Sequence, residues 1–291
     1  MKKRLMAAVL STAMPATMLL TGSISVQAAD AAAANDPAVE LIFTSVSVSG
    51  DSHTEAMYEF ADKVEELSGG SVTCKCYDNG SLFSSENEFD ALLNGDADLA
   101  YISFPTIATQ IPSYSMFASG YLFSSYEHMT SVLNGDIGLN KIRPQIEETL
   151  NIKPLSSFYL GSRVINTREK EINCYDDMNG LLLRMPNSEA WLFLGEALGA
   201  NPTPLSFSEL YTALQTGALD AQDNPLPSIE SAKFYEVTKY IAITNHVVDS
   251  IMPCINGDTW NSMTEAQQEA VTEAMEYARD VNDTARLDRE A

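Results

Sequence analysis

Two stretches of the chain repeat one order of elements, and that order restricts the fold more than any single residue does. Glu40 to Val46 reads as a strand, and Ser52 with Glu55 forms a capping box for a helix whose inner face is Ala56, Phe60, Val64 and Leu67. Gly69-Gly70 ends that helix. Val72 to Tyr77 alternates as a strand, Asn79-Gly80 turns the chain, and Ser85 with Glu88 opens a second helix carrying Phe89, Leu92 and Leu93 up to Asn94-Gly95. Ala97 to Ile102 returns as a strand. Strands separated by helices pair in parallel, so this run forms a parallel-strand half-domain.

The pattern recurs between Gly180 and Pro225. Leu181 to Leu183 is a short apolar strand that leaves its sheet at Met185-Pro186, which puts Arg184 at a strand mouth. Ser206 with Glu209 is a capping box, and Leu210, Ala213 and Leu214 follow at helical spacing until Gly217. Between the two units lie helices around Tyr126 to Leu133 and Ile142 to Leu150 and a strand over Lys153 to Tyr159. The resulting class is α/β with two lobes: lobe I over 38–160, lobe II over 161–247, and 248–291 returning to lobe I. That return consists of a strand over Ser250 to Asn256 and a long helix from Thr264 to about Arg289. The helix opens with a capping box, Thr264 to Gln267, and is amphipathic through Ala270, Val271, Ala274, Met275 and Ala278. The chain crosses between lobes near 159–162 and 247–250, which marks a hinge.

Residues 1–28 read as a cleaved secretory signal. Lys2, Lys3 and Arg4 precede an apolar run, and Val26-Gln27-Ala28 forms a small-x-small cleavage site. Pro15 and Thr17 interrupt the run and make it a poor membrane anchor. Leu20-Thr21-Gly22-Ser23 has the form of a lipoprotein box with Ser23 in place of the cysteine, so there is no thiol to lipidate. About 260 residues remain after cleavage, enough for two α/β lobes. An excess of 40 acidic over 17 basic residues makes nucleic acid and anionic lipid surfaces poor partners.

Cys74, Cys76, Cys174 and Cys254 enter an oxidising compartment on export. Cys74 and Cys76 share one strand face at a separation near the upper limit for a disulfide, and they read as unpaired core-like residues. His53, His128 and His246 are far apart in sequence and form no ligand motif, so no metal and no cofactor is expected. An exported hydrolase is the poorest functional reading. The chain has no G-x-S-x-G elbow, no H-E-x-x-H helix and no histidine near a candidate nucleophile, and Asp176-Asp177 and Glu65-Glu66 read as solvated faces.

The residues that remain point to anion binding. Arg163, Arg168, Lys170 and Arg184 concentrate cationic charge in one stretch of an acidic chain. A guanidinium presents paired N–H donors that fit a carboxylate and stays charged when desolvated. Read from the residues alone, Arg184 is a structural ion-pair partner for one of the many acids before it is a ligand contact, Arg163 an exposed loop arginine, Asn224 a turn residue, and Phe207 a core residue beside a helix cap.

The chain resembles the solute-binding proteins of TRAP (tripartite ATP-independent periplasmic) transporters over nearly all of its mature length. The similarity is carried by EFADKVEELSGGSV, DNGSLFSSENEFDALLNGDADLAYIS, GSRVINTREKEINCYDDMNGLLLRMPNS, LGANPTPLSFSELYTALQTGALDAQDNPL and KFYEVTKYIAITNH, in that order. The resemblance implies a two-lobe periplasmic-binding-protein-like clamp that captures an organic acid and delivers it to a TRAP membrane permease, as a monomer in the periplasm. It implies a carboxylate salt bridge at Arg184, a second ligand contact at Arg163, an asparagine completing the carboxylate site at Asn224, an aromatic wall at Phe207 and a weaker match at Asn187. A C4-dicarboxylate or a sugar acid such as a uronate fits the arginine pair, with Ser47, Ser49 and Ser103 as candidate hydroxyl partners. A receptor serving a membrane sensor would have the same site.

Three departures from the family pattern stand out. Where the sialic-acid branch places an asparagine and acidic residues in lobe I, this chain has Val46, Ser85 and Ser103, which argues against sialic acid. Gly120 replaces the usual proline before Tyr121-Leu122-Phe123. Family members usually continue some tens of residues beyond the position of Ala291, so the chain reads as short or truncated there, and its stability as reduced.

Overall fold

The structure, a computed structural model, describes residues 35–291; the expected export signal lies outside the described residues. Lobe I begins with β1 (Val39–Thr44), α1 (Ser52–Leu67), β2 (Val72–Tyr77), α2 (Glu88–Asn94), β3 (Leu99–Ile102) and the short α3 (Phe104–Ile107). A 3₁₀ turn follows, then α4 (Tyr126–Leu133), α5 (Arg143–Leu150) and β4 (Ile152–Pro154). The chain next enters β5 (Phe158–Thr167), and lobe II adds β6 (Leu182–Met185), α6 (Glu189–Ala197), β7 (Asn201–Pro204), α7 (Phe207–Thr216), β8 (Ala221–Pro225) and α8 (Leu226–Ser231). The 17-residue β9 (Tyr240–Asn256) leads back to α9 (Gly257–Ser262) and α10 (Glu265–Glu290).

The strand order is β2-β1-β3-β9-β5-β8-β6-β7, with β4 also on β9. β2-β1-β3 and β8-β6-β7 are parallel, as the helical crossovers require. The two parallel sets are joined by antiparallel neighbours, because β9 runs against β3, β4 and β5, and β5 against β8. Residues 250–256 are therefore the end of one long strand instead of a separate one. The segment expected as a single strand over 153–159 is divided between β4 and the start of β5.

Helices cover both faces of the lobe I sheet, so strand side chains of either parity are buried. Leu99 and Tyr101 pack with Phe60 and Val64 of α1 and with Val271 and Met275 of α10. Ala100 and Ile102 face Phe104, Ile107, Met129 and Met252. Burying a side chain of this size contributes about 1.5–3 kcal/mol. In lobe II, Leu183 and Met185 pack with Trp191 and Leu194 on one face, while Val164 meets Leu210, Leu214 and Phe234 on the other.

Only one of the four expected capping boxes forms in full, that of Thr264 and Gln267. α1 is capped by Asp51, whose side chain accepts from the His53 backbone, instead of by Ser52. Asn87 occupies the cap position of α2 without a side-chain bond, and Ser206 gives its hydroxyl to the Glu209 carboxylate instead of a backbone amide. All four cysteines are free. Cys254 is buried and Cys74 and Cys76 are half-buried, but Cys174 is exposed and is not a core residue.

β5 and β9 carry the chain between the lobes, and their register shifts between Tyr159 and Gly161. Gly161 has φ +123°, and a Cβ there would lie 2.4 Å from the Pro225 Cβ, so both backbone shape and packing require glycine. The irregular strand leaves backbone groups that the sheet does not satisfy, and α10 supplies their partners. Asp283 Oδ1 accepts from Tyr159 N (2.8 Å), Asn282 Nδ2 donates to Tyr159 O (2.9 Å), Arg286 Nη1 donates to Leu160 O (3.1 Å), and Glu290 Oε1 accepts from Ser162 N (2.8 Å). Positions 283, 286 and 290 recur at helical spacing and so share one face. Asp283→Ala removes the acceptor for the Tyr159 amide and for the Tyr126 hydroxyl (3.1 Å). It is expected to lower the urea unfolding free energy by about 1–3 kcal/mol, with Asp283→Asn recovering part of the loss.

Candidate ligand-binding site

A cleft of about 920 Å³, counting its solvent-open part, lies where the C-terminal ends of the parallel strands of both lobes face each other. This is where open α/β sheets bind ligands, because strand mouths and helix starts converge there. Lobe I contributes Ser47, Glu88 and Ser103 among others, and lobe II contributes Arg184, Phe207 and Asn224. Arg163 from the crossing strand and Arg286 from α10 also line it.

Arg163 is a buried strand residue, 4 % exposed, not an arginine of a solvated loop. Its Nε donates to Asp249 Oδ2 at 2.7 Å, and its Nη1 lies 3.3 Å from Asp223 Oδ2 and donates to the Asp223 carbonyl at 2.9 Å. The guanidinium carbon stands 4.3 Å from the centroid of the Trp191 ring. Burial opposes charge on all three ionised groups. Even so, the two facing carboxylates hold Arg163 above the usual arginine value, and Arg163 in turn holds Asp223 below the usual range. Burial wins at Asp249 and pushes its carboxyl up.

Arg184 is equally buried, yet its charge is handled differently. It stands near the end of β6, where its Nε donates to the Leu205 carbonyl at 2.8 Å, and among the described residues no carboxylate lies at ion-pair distance from it. Burial lowers its pKa to about 10, assisted by the neighbouring Arg163 charge and opposed by Asp223. The residue that sequence alone assigns to a structural ion pair has none among the described residues, and the residue taken for a loop arginine has two.

Asn224 and Phe207 also line the cleft. Asn224 donates from its amide to Gln222 Oε1 at 2.6 Å, and Phe207 packs edge-on against Phe234 with centroids 5.7 Å apart, so it is both wall and core. Ser103 reaches the cleft but caps α3, with its hydroxyl 2.9 Å from that of Thr106. Asn187 is exposed and lines an adjoining hollow with Asp90 and Gln110 instead. Ser47 lines the cleft, whereas Ser49 is turned to Asp78. Arg168 and Lys170 do not reach it, so the cationic stretch of sequence is divided in space.

A second buried cluster closes the far end. Arg286 donates to Asp51, to His53 Nδ1 at 2.6 Å and to Ser228 Oγ at 2.9 Å, while Ser231 donates to Asp51 Oδ2 at 2.9 Å. It ties α1, α8 and α10 together across the lobes. Burial, together with the Arg286 charge, lowers His53 from 6.5 to about 4. Burial works against ionisation of Asp51, but Arg286 and His53 outweigh it and hold the carboxyl well below the usual range. Sequence reading missed Asp51, Glu88, Trp191, Asp223, Asp249 and Arg286. Only the D-N-P step placed Asp223 beside a recognised position; the others carry no local signal.

The family model for bacterial extracellular solute-binding protein, family 7 (DctP), matches residues 43–290. The chain belongs to this family. The sialic acid-binding periplasmic protein SiaP of Vibrio cholerae is 32% identical over 222 residues, covering 76% of this chain and 68% of the relative. The C4-dicarboxylate-binding protein DctB of Bacillus subtilis is 28% identical over 233 residues, covering 79% and 65%. Among solved structures, a TRAP periplasmic solute-binding protein from Roseobacter denitrificans with bound 3-deoxy-D-manno-oct-2-ulosonic acid is 38% identical, with a TM-score of 0.82 over 87% of this chain and 83% of that one. The sugar acid binding protein DctPAm of Advenella mimigardefordensis, with galactonate, is 27% identical, with a TM-score of 0.84 over 88% and 82%. These confirm the two-lobe α/β clamp and the TRAP solute-binding family. Among the described residues no helix is long and apolar enough to cross a membrane, and no group of His, Cys, Asp and Glu is placed to hold a metal ion.

Two outcomes follow from the buried charges. Arg163→Ala leaves Asp223 and Asp249 buried without their counter-charge and is expected to cost about 3–5 kcal/mol of stability in urea unfolding, whereas Arg184→Leu costs little or stabilises. The His53 sign is opposite to that of a salt-bridged histidine. Below pH 6.5 the unfolded chain protonates His53 while the folded chain refuses the proton until about pH 4, so this contribution to stability is lost as pH falls through that window. In melts between pH 7.5 and 4.5, His53→Gln should flatten the decline seen in the parent.

Proposed function

We propose that this protein is an exported receptor that holds the carboxylate of an organic acid on Arg184 and delivers the acid to a TRAP-type membrane permease. The observation that carries the reading is the contrast between the two cleft arginines. Arg163 is neutralised by Asp223 and Asp249, while Arg184 is buried with only a carbonyl partner. A desolvated guanidinium without a counter-charge is unfavourable, and a ligand carboxylate relieves that cost while gaining charge-assisted hydrogen bonds. The acids named for the relatives, sialic acid, a C4-dicarboxylate, 3-deoxy-D-manno-oct-2-ulosonic acid and galactonate, have a carboxylate in common.

Asn224 and Phe207 frame the anchor from lobe II. Movement about the β5–β9 crossing would bring the lobe I wall onto the ligand and exclude water, which strengthens the Arg184 contact, and the permease would recognise the closed form. Signal cleavage near Ala29 would release the receptor outside the cytoplasmic membrane as a monomer. The family to which the chain belongs is one of solute-binding proteins, which supports a receptor. Calorimetry tests the anchor: Arg184→Ala should weaken carboxylate binding by about 100-fold or more, with Arg184→Lys intermediate because an ammonium lacks the paired donors. Unchanged affinity in Arg184→Ala defeats the assignment.

A further inference from the structure

Among the described residues, the lobe I side of the cleft carries hydroxyls, the ion-paired Asp51 and Arg286, and one acid without a cationic partner. Ser47, Ser85, Ser103 and Thr106 line it together with Glu88. Glu88, the first residue of α2, is 5 % exposed, lines the same cleft as Arg184, and has its Oε1 buried without a hydrogen-bond partner. Its spacing from Ser85 predicts a capping carboxylate at a solvated helix start, but it caps nothing. Thr44, at the end of β1, does not line the cleft; its buried hydroxyl stands beside the Glu88 carboxyl without completing a hydrogen bond. Buried polar atoms without partners cost about 1–3 kcal/mol each, and when they line a cleft they mark where a ligand group is to be met.

The charges around the cleft restrict what that group is. Among the described residues three arginines line it; Arg163 is matched by Asp223 and Asp249, Arg286 by Asp51, and Arg184 by no carboxylate at ion-pair distance. One anionic group on Arg184 is therefore accommodated. A second ligand carboxylate would meet Glu88 and hydroxyls on the lobe I wall, with no free cation to receive it. Burial holds the Glu88 proton well above the usual carboxylate range, with the Thr44 hydroxyl a smaller opposing influence. A carboxyl that keeps its proton both donates and accepts, which matches an alcohol and not a carboxylate.

We propose that Glu88 is the residue with which lobe I reads a ligand hydroxyl, and that the ligand is a polyhydroxylated monocarboxylate, a sugar acid, in preference to a C4-dicarboxylate. This rests on the carboxylate anchor at Arg184. Glu88→Leu then removes a hydroxyl contact and also an unsatisfied buried oxygen, so it weakens binding without lowering stability, the reverse of what a structural acid would show. Glu88→Gln retains a donor and an acceptor and keeps most of the affinity.

The test is calorimetry at pH 7 with galactonate, glucuronate, 3-deoxy-D-manno-oct-2-ulosonate and succinate, paired with thermal melts of the parent, Glu88→Gln, Glu88→Leu and Arg184→Ala. The parent is expected to bind the best of the three sugar acids at least about tenfold more tightly than succinate. Glu88→Leu should lose about tenfold to hundredfold of that affinity, closing the gap, with a melting temperature no lower than the parent's. Succinate binding more tightly than all three sugar acids overturns the proposal, as does sugar-acid affinity unchanged in Glu88→Leu. If Arg184→Ala loses binding while Glu88→Leu does not, the anchor stands and the Glu88 contact is wrong. If Glu88→Leu loses binding while Arg184→Ala does not, the hydroxyl contact stands and the anchor is wrong.

Discussion

The antiparallel pairing of β5 with β9 is the interaction on which both lobes depend. It joins two parallel sets of strands, and residues at the mouths of β1 and β3 line one cleft with those of β6 and β8. A continuous regular ladder would make this junction stiff. The register shift at Gly161 interrupts it, and the backbone groups set free there are taken up by Asn282, Asp283, Arg286 and Glu290 on one face of α10. The last helix thus packs the lobe I core with its apolar face and holds the crossing strand with its polar one.

The same junction decides where charge sits. Arg163 leaves β5 two residues beyond the irregularity and reaches carboxylates from β8 and β9, the two strands that flank it. That pairing satisfies one arginine within the protein and leaves Arg184, on the outer side of β8, without an acid. Residues of one type in one cleft therefore differ in their surroundings: Arg163 is held between two carboxylates, and Arg184 has a backbone carbonyl as its hydrogen-bond partner. Arg286 does for the far end of the cleft what Arg163 does near its centre, because Asp51, His53, Ser228 and Leu160 converge on it from separate elements.

The errors of the sequence reading have physical causes. Asp51 and Ser52 are both good cap residues, and Asp51 prevails because its carboxylate also meets Arg286, 235 positions away. Glu88 has the spacing of a capping box, but packing of α2 against the sheet buries it, and burial is not a local property. The partners of Arg163 lie 60 and 86 residues along the chain, distances over which no spacing rule operates. Arg168 and Lys170 show the converse, since neighbours in sequence at the end of a strand are carried away from the cleft by the turn that follows.

What the sequence by itself determined is the alternation of strands and helices, hence the parallel units of both lobes, the position of Arg184 at a strand mouth and the amphipathic last helix. These depend on periodicity and on turn and cap residues, which act over a few positions. The tertiary structure alone decided that β9 is one strand serving both lobes, that Arg163 is neutralised while Arg184 is not, and that Glu88 is buried at the cleft lining. Each of those outcomes depends on which distant groups share a low-dielectric space, and the energy of a buried charge or polar atom is set by its surroundings instead of its place in the chain.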